Sequence, residues 1–600
     1  MHRNLGSFLE ALRRSGDLVE VDARVDPRLE VAEIHRRVIA GGGPALLFHN
    51  PIGSSFPIVT NLFGTQRRVQ IGFGDHGQKF LSRLVHLAET MVPPSLPKMW
   101  GARDVAGTLL KVGMRKRRAG AVLEVQDPQL DLDALPVITC WPEVGGPFIT
   151  LPVVYTEHPV DGRHNLGIYR LQRHDSEHLG LHFQIHKGSG YHLMEAERLQ
   201  RHFPVTCLLG GPPALIASAV APLPENVGEL LLASLLQGAP LRMAQADGVA
   251  HPFVAECEFA IHGSAIPGVR WPEGPFGDHY GYYSLQHDYP VMKVDGITHR
   301  RGAIYPATVV GKPRQEDFFL GDFLQELLSP LFPLVMPTVR DLWSYGETGY
   351  HSLAAARVTD RYPREAMVSA FRILGEGQLS LTKFLLLTDG DVDLHDFPAT
   401  LEYILARADF RSDLHIIACT SMDTLDYSGP RVNEGSKGFL LGLGDPIRKL
   451  PREFEGQLPD GFPGAEVYCP GCLVIEGPSH ADQPQAAQGL LEGSALEEWP
   501  LVVLVDDAVS ATRSDARFLW TTFTRFEPAA DIYSSATEVV RNHLAHHPPV
   551  VIDARMKAGY PDELFCDPET SATVESRWSE YFPAGGVEMG DSDVGHLDQL

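Results

Sequence analysis

The chain has 600 residues, 44% of them hydrophobic and 21% charged, and a formal net charge of −25. That length exceeds what one hydrophobic core supports, so two or three globular domains are expected. The acidic excess, with no sustained basic stripe, argues against nucleic acid or an anionic membrane as partner, and seven cysteines over this length make no disulfide framework.

The chain opens on an amphipathic helix, with Leu5, Phe8, Leu9 and Leu12 on one stripe, rather than on the apolar core of a signal peptide. No stretch of about 18 apolar residues is found to span a bilayer, so a cytoplasmic protein is expected. Up to residue 100, helical stripes alternate with short apolar strands at 45–48 and 57–60, an α/β texture. The basic run Arg115, Lys116, Arg117 and Arg118 reads as a solvated linker face. From about 120 to 310 short β-like runs (122–125, 148–151, 205–208, 291–294) are broken by Gly and Pro and interrupted by helices near 188–202 and 226–237. That pattern predicts a β-rich domain, a barrel. Residues 315–345 read as helical and linking, with Phe318, Phe319, Phe323, Leu324 and Leu327 at helical spacings.

After residue 350 the α/β rhythm returns. The apolar runs 383–387 and 415–418 are those of strands buried on both faces, and 500–505 and 550–552 extend the series. Residues 478–498 read as a loop, and no internal repeat is evident. The expected division is an α/β domain over 1–120, a β-barrel domain over 121–315, a linking helix over 316–350 and an α/β domain over 351–600. Three signals are set aside. Cys469 and Cys472 flank Pro470 and Gly471 as a turn with two incidental thiols. Asp389, Asp391 and Asp393 lack the glycine and glutamate of a calcium loop, and neither common phosphate-binding glycine motif is present.

The most informative segment is 271–283. Glu273 and Asp278 stand five apart in a stretch too rich in Gly and Pro for a regular helix or strand interior, and His279, Tyr280, Tyr282 and Tyr283 follow. An irregular loop of this kind suits proton donors held beside a flat, apolar substrate; the plain alternative is a packed surface turn. Upstream, an apolar strand carries Asn165 at one end and Arg170 at the other. The next strand, with His182 and His186, runs into Lys187 and Gly188, and a lysine entering a helix beside glycine suits a phosphate. Glu229, after a proline-rich turn, can supply a hard oxygen to Mg²⁺ or Mn²⁺, or simply favour a helix dipole.

Four motifs in order, Asn165-x-Gly-x-Tyr-Arg170, Gln184-Ile-His-Lys187, Pro224-x-x-x-x-Glu229 and Glu273-Gly-Pro-x-Gly-Asp278, resemble the UbiD family of prenylated-FMN-dependent decarboxylases. Residues 43–48, 60–65 and 305–311 support the likeness, and 140–142, 184–187 and 298–301 are most similar to the menaquinone-biosynthesis branch. The resemblance implies a carboxy-lyase of α/β multidomain fold, with an N-terminal α/β segment, a central split β-barrel-like flavin-binding domain and a C-terminal α/β domain that assembles homodimers or homohexamers. It implies that Asn165 and Glu229 bind a divalent metal, Mn²⁺ or Mg²⁺, that bridges to the cofactor phosphate. His186 is a substitute third ligand, because some members carry a metal-binding histidine where this chain has Lys187. K⁺ is a further candidate ion.

Ile168, Tyr169, Arg170, His182, Phe183, Gln184, Lys187 and Gly188 would line the prenylated FMN, and Lys437 would reach it from the C-terminal domain. Arg170, Glu273 and Asp278 would form the catalytic network, with Asp278 protonating carbon and an apolar pocket expected to raise its pKa. Loss of CO₂ from an sp² carbon leaves a carbanion that no side chain delocalises, hence the need for the cofactor. The implied reaction is reversible, non-oxidative decarboxylation of an aromatic or α,β-unsaturated acid, with a dihydroxynaphthoate as leading substrate and a polyprenyl-hydroxybenzoate or catabolic hydroxybenzoate as alternative. A flavin prenyltransferase would supply the cofactor. The rival reading is a cofactor-binding subunit of a larger carboxylase.

Overall fold

A computed structural model of the chain describes residues 2–90, 102–184, 187–223, 227–312 and 314–592. The chain forms two units: one takes the residues up to Leu327 together with the tail from Glu563, the other takes Leu328–Asp562. The sequence division placed that tail in the C-terminal domain. Its helix Pro568–Tyr581 belongs instead to the first unit, where Arg577 and Tyr581 both reach Glu30 and where Ser571 and Ser592 reach Glu33.

In the first unit the helix Leu5–Ser15 buries the predicted stripe and is capped by Asn4, whose side chain accepts the Ser7 N–H at 2.8 Å. The β-rich region is a nine-stranded antiparallel sheet. Its strands are β1 (Val125–Gln126), β2 (Phe148–Ile149), β3 (Val153–Glu157), β4 (His164–Gly167), β5 (Leu171–Arg173), β6 (His178–Leu181), β7 (Phe203–Leu209), β8 (Phe259–Glu273) and β9 (His287–His299). They run in the order β2-β5-β6-β9-β8-β7-β3-β4, with β1 added beside β9. The strand expected at 122–125 is mostly a 3₁₀ turn, Ala121–Leu123. The helices expected near 188 and 226 are α1 (Gly188–Arg198) and α2 (Glu229–Gln237). Inward residues Ile149, Leu171, Leu179, Val205, Ile261 and Met292 are fully buried in one apolar core, which fixes the strands that carry the site.

Two expectations for 315–345 change. The helical run Glu316–Val335 is long and apolar enough to cross a membrane by length and composition, where the sequence reading found no such segment. The reason is local: Glu316, Asp317, Asp322 and Glu326 interrupt the apolar run. Glu316 is itself buried, accepting the Phe63 N–H at 2.8 Å and the Thr308 hydroxyl at 2.6 Å. Beyond it, Val339–Ser344 is strand rather than helix.

The second unit contains β10 (Val339–Ser344), β11 (Leu353–Val358), β12 (Phe384–Thr388), β13 (Leu414–Ser421) and β14 (Glu434–Gly442), then β15 (Ala465–Cys469), β16 (Cys472–Glu476), β17 (Leu501–Val505), β18 (Ile532–Val540) and β19 (His543–Asp553). They form two sheets, β10-β11-β12-β14-β13 and β15-β16-β17-β19-β18. The orders are identical, and in both sheets the three inner strands are parallel and the two outer strands antiparallel.

The likeness extends to single bonds. Helices α3 (Phe397–Leu405) and α4 (Phe410–Asp413) recur 118 residues later within α5 (Asp515–Arg525) and as α6 (Pro528–Asp531). Asp413 accepts the Asp409 N–H at 2.8 Å, and Asp531 accepts the Glu527 N–H at 2.7 Å. Asp389 accepts the Gly444 N–H at 3.0 Å, and Asp506 accepts the Met556 N–H at 2.8 Å. The second unit is an internal structural repeat whose two sheets share an apolar layer, Phe384, Leu386 and Leu440 with Val503, Phe523 and Ile552. This corrects the reading that no repeat exists. Over 396–416 against 514–534 the only identities are Leu401 with Leu519, Arg407 with Arg525 and Asp413 with Asp531.

Strand β13, expected to be buried on both faces, lies at a sheet edge and is largely solvent-facing. Cys469 and Cys472 pair across the tight turn between β15 and β16, both buried and with no disulfide between them.

Candidate active site

Arg170 sits between β4 and β5, Glu273 ends β8, and Asp278 follows in the loop toward β9. All three are buried, Glu273 completely. The guanidinium is shared between the two acids. Its Nε and Nη2 donate to Glu273 at 2.8 and 3.1 Å, a bidentate pair. Its Nη1 donates to Asp278, and Nη2 also reaches Ser284 Oγ at 3.1 Å. The Phe276 ring packs 4.5 Å from the guanidinium carbon. His182 Nδ1 faces the far oxygen of Glu273 at 3.2 Å, and the His279 backbone N–H and ring nitrogen face Asp278 at 2.8 and 2.7 Å.

The loop that presents Asp278 is pinned from several sides. Gln172 accepts the Gly274 N–H at 2.9 Å and donates to the Gly145 carbonyl at 2.8 Å. Ser284 Oγ accepts the Phe276 N–H at 3.1 Å. Gly277 lies flat on Trp141, so that a Cβ there would stand 2.1 Å from the indole. Sequence reading missed Gln172, Ser284, Phe276, Trp141 and His279 as supports. Phe276 and His279 lie inside the segment already singled out, and Gln172 carried a signal of its own, because it lies two residues beyond Arg170 and therefore on the same face.

The electrostatics reverse one expectation. Burial by itself would raise the Asp278 pKa, but Arg170 and His279 outweigh it and hold the group down at about 2. Glu273 is likewise pushed upward by burial and pulled well below the carboxylate range by Arg170 and His182. Arg170, despite its own burial, is held above its ordinary value by the two acids. Asp278 is therefore ionised in this arrangement, not protonated, because the guanidinium is in contact with it. Both folded-state values lie below the unfolded ones, so this stabilisation is nearly complete above about pH 5 and is lost as pH falls toward 2. Urea melts of the native chain are expected to lose stability over that window, and Asp278→Asn to lose less of it; parallel profiles would contradict the assignment.

A second corner begins five residues before Arg170 in the chain. Asn165, on β4, donates from Nδ2 to the Tyr169 hydroxyl at 3.2 Å and to Ser189 Oγ at 2.9 Å, which leaves Oδ1 without a hydrogen bond among the described residues. Gly188 opens α1 against that side chain, where a Cβ would come within 2.0 Å of Oδ1. Glu229, at the start of α2, is half-buried, with one shielded oxygen that lacks a partner among the described residues. Burial raises its pKa, opposed only by backbone N–H groups, including that of Leu166 beside Asn165. A half-buried carboxylate with a shielded oxygen and an amide oxygen, both without a partner among the described residues, are two hard donors that fit a divalent metal. No set of three His, Cys, Asp or Glu side chains able to hold a metal occurs among the described residues, and His186 lies outside them.

Tyr169 and Phe183 meet edge to face at 5.0 Å, Ile168 is half-buried, and Gln184 Nε2 approaches His182 Nε2 at 3.2 Å. Lys187 is the N-cap residue of α1, placing a cation at the positive end of that helix. Lys437 lies in the second unit, on β14. It is buried, donates to the Thr382 carbonyl at 3.0 Å, and is pushed down by burial to about 8.

The sequence matches family models described as 3-octaprenyl-4-hydroxybenzoate carboxy-lyase: the N-terminal domain over residues 9–88, the Rift-related domain over 114–313 and the C-terminal domain over 318–441. A protein of Chlamydia trachomatis serovar D with no described function is 50% identical over 97% of this chain and 100% of its own length. A Chlamydia pneumoniae protein, named as one subunit of a 4-hydroxybenzoate decarboxylase, is 49% identical over 96% of this chain and 98% of its own. Among solved structures, the UbiD-class enzyme HmfF from Pelotomaculum thermopropionicum in complex with FMN matches with a TM-score of 0.60 and 25% identity, covering 76% of this chain and 98% of that one. Relatives half identical over nearly the whole length, and three successive domain models, establish that the chain belongs to the UbiD family and is a carboxy-lyase.

Proposed function

We propose that the chain catalyses reversible, non-oxidative decarboxylation of a hydroxyaromatic acid with prenylated FMN and a divalent metal, Mn²⁺ or Mg²⁺. The observation that carries this reading is one buried guanidinium shared by two carboxylates, beside a corner with two unused hard oxygens and a helix start. Asn165 and Glu229 would hold the metal, with Lys187 and the N-terminus of α1 taking the cofactor phosphate. Tyr169 and Phe183 give a rigid apolar wall. When bound, the cofactor supplies the electron sink for the carbon that loses CO₂.

The protein's own part is proton handling. A substrate carboxylate entering beside Arg170 competes with Asp278 for Nη1. Once that contact weakens, burial raises the Asp278 pKa and the group takes up a proton. It then stands ready to deliver that proton to the carbon vacated by CO₂, while the bidentate pair to Glu273 keeps Arg170 oriented. His279, on Asp278, and His182, on Glu273, give the two acids routes for proton exchange.

The name of the Chlamydia pneumoniae relative favours a hydroxybenzoate over a dihydroxynaphthoate as substrate. That the relative is named as one part of an enzyme also supports a second reading, in which the chain turns over only with a further polypeptide. Assay of the flavin-loaded chain alone against 4-hydroxybenzoate and 1,4-dihydroxy-2-naphthoate, by CO₂ release, separates these readings. Activity on the former without added protein is expected. Glu229→Ala is expected to lose bound metal and most bound flavin, read by elemental analysis and flavin absorbance; full loading would remove Glu229 from the metal site.

A further inference from the structure

The first unit holds a concave site whose lining shares no residue with the carboxylate network. Strand Met114–Arg117 pairs in parallel with Leu241–Ala244, and Arg115 is in register with Arg242. Side chains two apart share a sheet face, so Arg115, Arg117 and Arg242 project together. With Arg3 they line a cavity of about 140 Å³ that is closed by Pro212, Gln237 and Val254. Like charges side by side on neighbouring strands oppose folding. The only carboxylate in the lining, Glu256, is paired with Arg242. Arg3, Arg115 and Arg117 have no hydrogen bond or ion pair among the described residues. Four guanidiniums and one carboxylate leave a local charge of +3 in a chain of net charge −25.

The wall behind these arginines is fixed. Buried Ser234, on α2, accepts the Gly113 N–H at 2.8 Å and donates to the Ala239 carbonyl at 2.9 Å, tying the start of the arginine strand to the end of α2. The site therefore sits at the opposite end of α2 from Glu229, about 12 Å away along nine residues. We propose that this cavity is a binding site for a compact polyanion of the phosphate class, a phosphate monoester or diphosphate group on a small molecule. Planar guanidiniums match phosphate oxygens in bidentate fashion, and a bound dianion removes the repulsion between Arg115 and Arg242. The cavity is too small to seat a folded partner, and the strongly acidic remainder of the chain disfavours a nucleic acid or an anionic membrane.

The test is isothermal titration of the full-length, flavin-loaded chain with pyrophosphate at constant ionic strength, comparing the native protein with Arg115→Gln/Arg117→Gln. Both positions are exposed, so flavin content and melting midpoint serve as controls that the variant is folded. Any contribution from the cofactor site is common to both proteins and cancels. Affinity is expected to fall by about tenfold or more in the variant, as for losing charge-assisted bonds. Equal affinity in the two proteins overturns the proposal. So does absence of pyrophosphate binding by a native chain that binds phosphatidylglycerol vesicles or duplex DNA through the same arginines.

Discussion

Arg170→Met is expected to destabilise the chain by about 3–5 kcal/mol near neutral pH, the usual result of stranding a buried charge, and to abolish turnover. In the native site one guanidinium serves two buried carboxylates, so its removal leaves Glu273 and Asp278 facing each other without a cation. Their pKa values would then rise, because burial is the largest influence on each and would lose its main opposition. The deficit should shrink as pH is lowered, since protonation relieves the repulsion. Urea unfolding at pH 7.5 and pH 5 measures this; a variant as stable as the native chain at both values would deny the network its structural role. Arg170→Lys should recover part of the stability and little of the turnover, since an ammonium cannot make the bidentate contact.

Asp278→Asn should behave differently, and the contrast is informative. One carboxylate is removed from a site holding one cation and two anions, so the remaining Arg170–Glu273 pair is balanced; at neutral pH the variant should fold and lose only the stabilisation that the Arg170–Asp278 contact supplied. Turnover, by contrast, should fall by about 10²–10⁴-fold, the range for losing a positioned proton donor. Flavin and metal content should be retained, because Asp278 touches neither Asn165 nor Glu229 among the contacts described above. A variant that folds, loads cofactor and still turns over would show that the proton arrives by another route.

Much of the first unit could be read from the sequence because its signals are local. The Leu5–Leu12 stripe, the helices starting at Gly188 and Glu229 and the paired acids Glu273 and Asp278 all appear where short-range pattern places them. What escaped depends on contacts between distant residues. Arg170 lies 108 positions from Asp278, and nothing in either neighbourhood says that the contact depresses the acid's pKa. Gln172 and Ser284 support the loop through single hydrogen bonds that leave no motif. The structural repeat in the second unit shows in topology, in the Asp413 and Asp531 backbone contacts and in the core layer rather than in residue identity, since many apolar sequences satisfy the same buried pattern. The edge position of β13 follows from strand order, which periodicity does not encode. The unpartnered oxygens of Glu229 and Asn165 likewise emerge only from the packing of α1 and α2 against β4.

The most direct test of the central claim is deuterium incorporation by the flavin-loaded chain acting on 4-hydroxybenzoate in D₂O, followed by mass spectrometry of the phenol product. One deuterium is expected at the carbon that carried the carboxylate, with labelled product forming about 10²–10⁴-fold more slowly from flavin-loaded Asp278→Asn. Equal rates from native protein and variant, or no product from fully loaded native protein with any hydroxyaromatic acid, would contradict this.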